Sequence, residues 1–315
     1  MNKKTKIYIA GHRGMVGSAI WRALEKKGYT NLIGRSSEEL DLKKSNDVFN
    51  FLQNENPSVI IDSAAKVGGI LANMSHPYKF LMENMQIQNS LIDSALQLGI
   101  DKFIFLGSSC IYPKLASQPL KEEYLLTTSL EPTNEWYAIA KITGVKSCQA
   151  IRNQYQKDYV SLMPTNLYGS FDNFDLETSH VLPAMIRKFH EAKLNSEPVK
   201  LWGSGTPMRE FMFVDDMADA VVFALENRLP EYLYNVGTGK DITIKELAET
   251  IQKIVGHQGE IIWDTTKPDG TPRKLLDVSK MKAFGWEYST ELQEGIEKTY
   301  AWFLEHIENI KEVKM

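Results

Sequence analysis

Cysteine is scarce: Cys110 and Cys148 are the two in 315 residues, too few for a disulfide framework, which fits a reducing cytosol. No run approaches the length needed to span a bilayer. Residues 1–6 are basic, but the apolar run behind them lasts only from Ile7 to Ala10, so no signal peptide is expected. A basic excess is also missing. With 36 Lys and Arg against 40 Asp and Glu, the formal net charge is -4 and the pI near 5.9. No global field holds nucleic acid or an anionic membrane, and any anionic ligand must be held by local clusters. Internal repeats, low-complexity tracts and a metal-binding cluster are absent as well. What remains is an ordinary globular composition, 43% hydrophobic and 24% charged, long enough for one large domain or two that share an interface.

The N-terminal part carries the first positive signal. A short apolar strand over 6–10 runs into Gly11, His12, Arg13, Gly14, Met15, Val16 and Gly17, then into a helical run through Trp21 and Leu24 to Lys27. Glycines spaced in this way between strand and helix form a dinucleotide fingerprint, because they permit a tight turn and let backbone amides approach a pyrophosphate. The second strand, near 31–34, is followed by Arg35 where NAD would favour a carboxylate on its ribose diol. Arg13 and Arg35 therefore favour a 2'-phosphate, hence NADP. The alternative is that both arginines are simply solvated and Glu38 or Glu39 comes close to the diol.

Alternation continues down the chain. A helix over 45–54 leads to a strand at 59–61 and to small residues at its carboxyl end, among them Ala64, where a backbone can pass close to a cofactor. From 77 to 98 apolar residues recur at helical spacing, which reads as core packing; any that face outward beside the helix bearing Tyr137 could pair two subunits through a four-helix bundle. A strand over 102–106, ending in Leu106, runs into Gly107 and Ser108, and a strand over 159–163 runs into Pro164, Asn166 and Leu167. Strand ends of an open α/β sheet are where ligands sit. The pattern predicts an α/β fold with a right-handed, doubly wound parallel sheet of the Rossmann type.

Beyond Gly169 the register changes. His180 opens a helix containing Arg187 and Lys188, a strand covers 199–202, Val214 starts another helix, and 234–237 reads as a return strand of the first sheet. Thr243 and Glu246 form a capping-box pattern, residues 268–274 a rigid charged turn, and a last helix runs from about 290 to 311. The expected division is a dinucleotide-binding domain of residues 1–169 and 214–240, with a smaller C-terminal substrate-binding domain of 170–213 and 241–315.

Tyr137 and Lys141 lie four residues apart in a helix expected over 135–157. That spacing places phenol and ammonium on one helix face, where the cation would favour tyrosine ionisation and let Tyr137 exchange a proton as a hydride moves. The same spacing also arises by chance on many helices. Ser108 would complete the set: two donors on one carbonyl oxygen with a cation behind them.

The strings at 11–17, 107–113, 131–135, 137–141, 163–169, 203–211 and 267–274 together resemble the GDP-L-fucose synthases of the extended short-chain dehydrogenase superfamily, over about residues 6–304. The resemblance implies a cytoplasmic enzyme, an NADPH cofactor and a bifunctional reaction. C3 and C5 of GDP-4-keto-6-deoxy-D-mannose are epimerised and the C4 ketone is then reduced. It implies proton transfer by Cys110 and His180, with His180 also beside the cofactor. Packing as a small hydrophobe and capping of a helix start are their plain alternatives. It implies GDP-sugar contacts from Ser108, Asn166, Lys188, Trp202, Arg209, Asp269 and Lys274, with exposed salt bridges as the alternative for Lys188 and Lys274. Cys148 reads as packing. One departure is Ser37, where the family often has a basic residue, leaving Arg13 and Arg35 as the clamp. Rival readings are a 4-epimerase, a 4,6-dehydratase or a plain 4-reductase on a sugar nucleotide, and a non-catalytic NADP-binding sensor. Ser109 and Cys110 stand where a dehydratase would usually carry an Asp-Glu pair.

Overall fold

Strands buried on both faces need no polar alternation, so short apolar runs between turns suffice to build a parallel sheet. The computed structural model describes residues 1–309 apart from 177 and 268 and the side chains of 70, 71 and 309. Its first half runs β1 (Ile7–Ala10), α1 (Met15–Lys26), β2 (Leu32–Ile33), α2 (Ser45–Glu55), β3 (Val59–Asp62), α3 (Ile70–Ser75), α4 (Pro77–Gln97), β4 (Lys102–Leu106), α5 (Glu135–Tyr155) and β5 (Asp158–Pro164). The chain leaves through β6 (Asn166–Tyr168), α6 (Val181–Asn195), β7 (Val199–Trp202) and β8 (Met208–Phe213), and α7 (Val214–Glu226) returns it to β9 (Leu233–Val236). A second excursion comprises β10 (Asp241–Thr243), α8 (Ile244–Val255), β11 (Ile261–Asp264), β12 (Arg273–Lys274), α9 (Ser279–Ala283) and α10 (Leu292–His306).

Six strands form the parallel sheet in the order β2-β1-β3-β4-β5-β9. Because β2 and β3 lie on opposite sides of β1, the topological switch falls between β1 and β3, whose carboxyl ends open a crevice. Successive side chains point to opposite faces, which sorts the core. Ile7, Ile9, Ile61, Ile104 and Leu162 pack with Ile20, Leu24, Met217 and Val221 from α1 and α7. Tyr8, Ile60, Phe103, Phe105 and Tyr159 face Leu52, Leu91, Ala95, Val145 and Ile151 from α2, α4 and α5. Each such side chain contributes about 1.5–3 kcal/mol by burial.

A third core, with Phe174, Leu182, Phe189, Phe211, Leu247, Ile251 and Phe303, lies among α6, β8, α8 and α10. Here β8 is the organiser: it pairs with β6 and β12 in parallel and with β10 antiparallel, while β7 pairs with β11. The capping box forms as expected, Glu246 N–H donating to Thr243 Oγ1 at 3.0 Å and Thr243 N–H to Glu246 at 2.8 Å.

Several boundaries move. The second strand shrinks to Leu32–Ile33, and α5 stops at Tyr155 because Gln156 takes a left-handed φ of 58°. The last helix spans Leu292–His306 and passes into a short 3-10 turn over Ile307–Asn309. Arg273 and Lys274 leave the expected charged turn to form β12 beside β8. Pro268, the start of that turn, and Lys311, the expected helix end, lie outside the described residues.

Candidate active site

The turn after β1 is shaped by contacts no side chain could share. A Cβ on Gly11, whose φ is 79°, would stand 2.9 Å from the Ala64 backbone, and one on Gly17 would stand 2.2 Å from the Gly11 carbonyl. Gly14 caps α1 without a side-chain acceptor, and no acidic residue occupies the first turn. The helix therefore offers its first amides and positive dipole end to an anion at the crevice. His12 lies tilted against Trp21, ring centres 5.7 Å apart, and fills the space above Gly34; burial and then Arg13 lower its pKa. These residues fit a dinucleotide.

At the far end of the cradle Arg35 is already engaged. Its guanidinium donates to Glu55 at 2.8 Å and lies 5.1 Å over Phe51. Arg35 and Lys44 line an open hollow of about 590 Å³ with Ser37, Glu38 and Glu39. Glu39 accepts the Ser36 N–H at 2.7 Å, and that hydrogen bond holds its pKa below the usual value.

At the carboxyl end of β4, Gly107 admits Met163, whose Cε a Cβ would meet at 2.0 Å. Ser108 Oγ accepts the Cys110 N–H at 3.3 Å, capping a short 3-10 turn over Ser109–Ile111. Facing it, α5 presents Tyr137, edge-on to Phe80 at 6.4 Å, and Lys141. Lys141 Nζ donates to the Leu106 carbonyl at 2.9 Å, lies 4.7 Å over Phe105, and is 6.0 Å from the Tyr137 ring centre. Contrary to the sequence expectation, the Tyr137 pKa is raised: burial comes first, then the charges of Cys110 and Asp62. Lys141 is itself lowered by burial, so in these surroundings burial outweighs the lysine in setting the phenol.

The charge of Lys274 acts on both acid–base candidates. Burial raises the Cys110 thiol, opposed by Lys274, by Ser108 and by Lys141. His180 is the N-cap residue of α6. It is open to solvent on one side yet ringed by protein, and that partial desolvation, then the Lys274 charge, lowers its pKa. Lys274 is brought here by register, because β12 sets it opposite Arg209 on β8. It is lowered by burial and answered by Cys110 and Glu131, so it is no solvated salt bridge.

Asn166 donates to the Glu210 carbonyl at 2.8 Å. Thr165, Pro164 and Leu167 continue the same crevice wall, with Leu167 packed on the α1 and α7 side. The remaining sugar-nucleotide candidates lie outward. Arg209, lowered by burial, donates to the Met208 carbonyl at 2.7 Å. Lys188, also lowered by burial, reaches the Lys200 carbonyl at 3.4 Å. Trp202 is exposed, with Lys267 5.5 Å from its ring centre. Both Asp269 carboxylate oxygens are taken by Ser204, at 2.9 and 2.7 Å.

Two carboxylates escaped the sequence reading. Glu210 accepts N–H groups of Thr238, Gly239 and Leu276 at 2.6, 2.8 and 2.9 Å, tying β8 to the β9–β10 turn and to the segment after Lys274. Gly237 makes room, since a Cβ there would stand 2.3 Å from the carboxylate. Asp62 closes β3 in full burial. Its visible signal was a single acid behind the apolar Val59, Ile60 and Ile61.

Residues 7–237 match the NAD dependent epimerase/dehydratase family. The chain is 54% identical over 309 residues to GDP-L-fucose synthase 1 of Arabidopsis thaliana, covering 98% of this chain and 96% of that protein. It is 52% identical over 313 residues to GDP-L-fucose synthase of Escherichia coli strain K12, covering 96% and 98%. A crystal structure of a GDP-L-fucose synthetase from Naegleria fowleri bound to NADP aligns with a TM-score of 0.91 at 27% identity, covering 99% and 96%. The chain belongs to the NAD dependent epimerase/dehydratase family and, within it, to the GDP-L-fucose synthases.

Proposed function

We propose that the chain converts GDP-4-keto-6-deoxy-D-mannose to GDP-L-fucose, inverting C3 and C5 and then reducing the C4 ketone with NADPH. The observation that carries this is that the charge of one lysine, Lys274, acts on both acid–base candidates, Cys110 and His180, while the Cys110 N–H donates to Ser108 of the Ser108, Tyr137 and Lys141 set. A plain reductase needs only the latter.

A C4 ketone acidifies the protons on C3 and C5, because their loss gives an enolate on the C4 oxygen. Ser108 and Tyr137 donate to that oxygen. Of Cys110 and His180, one removes a proton from carbon and the other returns one from the opposite side. Lys274 favours the thiolate of the first and the neutral imidazole of the second. NADPH supplies the hydride for C4 when bound. Tyr137 gives its proton to the alkoxide oxygen, with Lys141 behind it. Arg209 takes the diphosphate through its planar fork, Trp202 offers a ring beside the nucleotide, and Lys188 adds a cation.

Residues 1–169 and 214–240 form the cofactor domain and 170–213 and 241–315 the substrate domain on this reading. Two copies pair through α4 and α5 as a four-helix bundle; exposed Tyr78, Trp136 and Tyr155 on those helices support it. Among the described residues no helix is long and apolar enough to cross a membrane, and the two free thiols suit a cytoplasmic setting.

The test is NADPH oxidation in deuterated buffer with GDP-4-keto-6-deoxy-D-mannose, the product read by mass and NMR. GDP-L-fucose carrying deuterium at C3 and C5 is expected. NADPH consumption without deuterium uptake would leave a plain 4-reductase and return Cys110 and His180 to packing and capping.

A further inference from the structure

The reaction above gives Asp62 no task, although a buried carboxylate is costly unless something answers its charge. Asp62 has no exposed surface. Its Oδ1 accepts the Ala64 N–H at 3.1 Å, and its Oδ2 has no hydrogen-bond partner among the described residues. Sheet register says where it lies. Asp62 pairs with Ala10 of β1 and Phe105 of β4, and Phe105 pairs with Ser161 of β5. Registered neighbours stand about 4.8 Å apart and share a face. Ala10 and Phe105 belong to the core beneath α4 and α5, so Asp62 points that way too. Lys141 reaches down from α5 onto this row, over the Phe105 ring and onto the Leu106 carbonyl. The Phe105 ring lies flush against Gly144, where a Cβ would stand 2.4 Å from it, so the missing side chain of α5 is what lets the ring sit on this row under Lys141.

We propose that Asp62 is a positioning residue for the reduction: from the row beneath Lys141 it holds that side chain as an ammonium and keeps the proton on Tyr137 until the C4 oxygen takes it. The proposal rests on the reductase reading of Tyr137 and Lys141. The titratable groups facing Asp62 are Tyr8 from β1 and Cys148, Lys141 and Tyr137 from α5, with Cys110 acting on the last two. The charge of Asp62 favours the protonated form of both Lys141 and Tyr137. Burial pushes Asp62 itself up to about 6, so that charge is present through the neutral range.

The experiment uses Asp62→Asn with NADPH and GDP-4-keto-6-deoxy-D-mannose from about pH 6 to about pH 10. Loss of the negative charge lets both neighbouring pKa values fall. The alkaline limb of kcat for reduction should move down by about one unit, so that the variant's rate starts to fall about one pH unit earlier than the wild type's. KM for the sugar nucleotide and deuterium entry at C3 and C5 near neutral pH should stay as in the wild type. An unmoved limb overturns the proposal, including a kcat lowered equally at every pH, which is what a structural role would give. If Asp62→Asn does not fold, Asp62→Ser is read in the same way. A wild-type chain that fails to oxidise NADPH removes the reductase reading itself; an active wild type with an unmoved variant limb removes only the role of Asp62.

Discussion

Glu210 on β8 and Asp62 at the end of β3 are both carboxylates with no exposed surface, but their surroundings differ. Around Glu210 the protein supplies three backbone N–H groups, and its carbonyl takes Thr165 and Asn166 as well. Among the described residues it supplies one N–H to Asp62, and the Tyr8 hydroxyl nearby has no partner among them either. Where a buried charge is fully bonded, it joins segments: Glu210 ties the strand of Arg209 to Asn166 and to the segment following Lys274. Where it is half-bonded, the fold is holding an unfavourable group, and the benefit has to be sought in the neighbouring chemistry.

The largest effect expected from breaking this contrast is on the satisfied side. Glu210→Ala strands three buried donors, and a loss of about 3–5 kcal/mol follows, with Tm lower by roughly 10 °C in a chain of this size. Calorimetry checks it. Glu210→Gln is gentler: its amide meets the Leu276 N–H donor to donor, so β12 loosens and KM for the sugar nucleotide rises while NADPH affinity holds.

Asp62→Asn should move stability the other way. The folded pKa of Asp62, about 6, lies above the ordinary 3.8, so the folded chain binds this proton more tightly than the unfolded one. Its burden is absent below about pH 4, grows as pH rises toward 6, and then levels off near 3 kcal/mol. The amide variant should gain up to that amount at about pH 8, less the cost of its own unmet N–H, and nothing at about pH 4. Urea unfolding at the two pH values decides this, and an equal change at both would contradict it. As the smallest effect, Thr243→Ala removes a helix cap that touches neither carboxylate and should cost about 1 kcal/mol near neutral pH, less in acid, because hydrogen bonds from Thr243 hold the Glu246 carboxyl below its usual value.

The alternating strands and helices, the glycine turn and the capping box were legible because each is a local pattern: apolar runs, fixed glycine spacing, Thr243 three residues before Glu246. Properties set by packing were not. Arg35 stood as a free cation in the sequence, and its engagement by Glu55, twenty residues on, needs α2 folded against the sheet. The Tyr137 proton was expected to loosen beside Lys141, but burial of the phenol outweighs that neighbour. Lys274 sat in a charged turn that suggested solvent, and only pairing of β12 with β8 carries it to Cys110. Asp62 showed as an acid after three apolar residues, with nothing local to say which face it would take.

The central claim is that one site performs two separable proton chemistries. It is tested most directly by Tyr137→Phe in deuterated buffer with NADPH and GDP-4-keto-6-deoxy-D-mannose, following deuterium at C3 and C5 alongside NADPH oxidation. The expected result is reduction slowed by about 10²–10⁴-fold while exchange at both carbons is partly retained through Cys110, His180 and Ser108. Full reductase activity, or exchange lost to the same extent as reduction in a variant that still binds NADPH, would contradict the account.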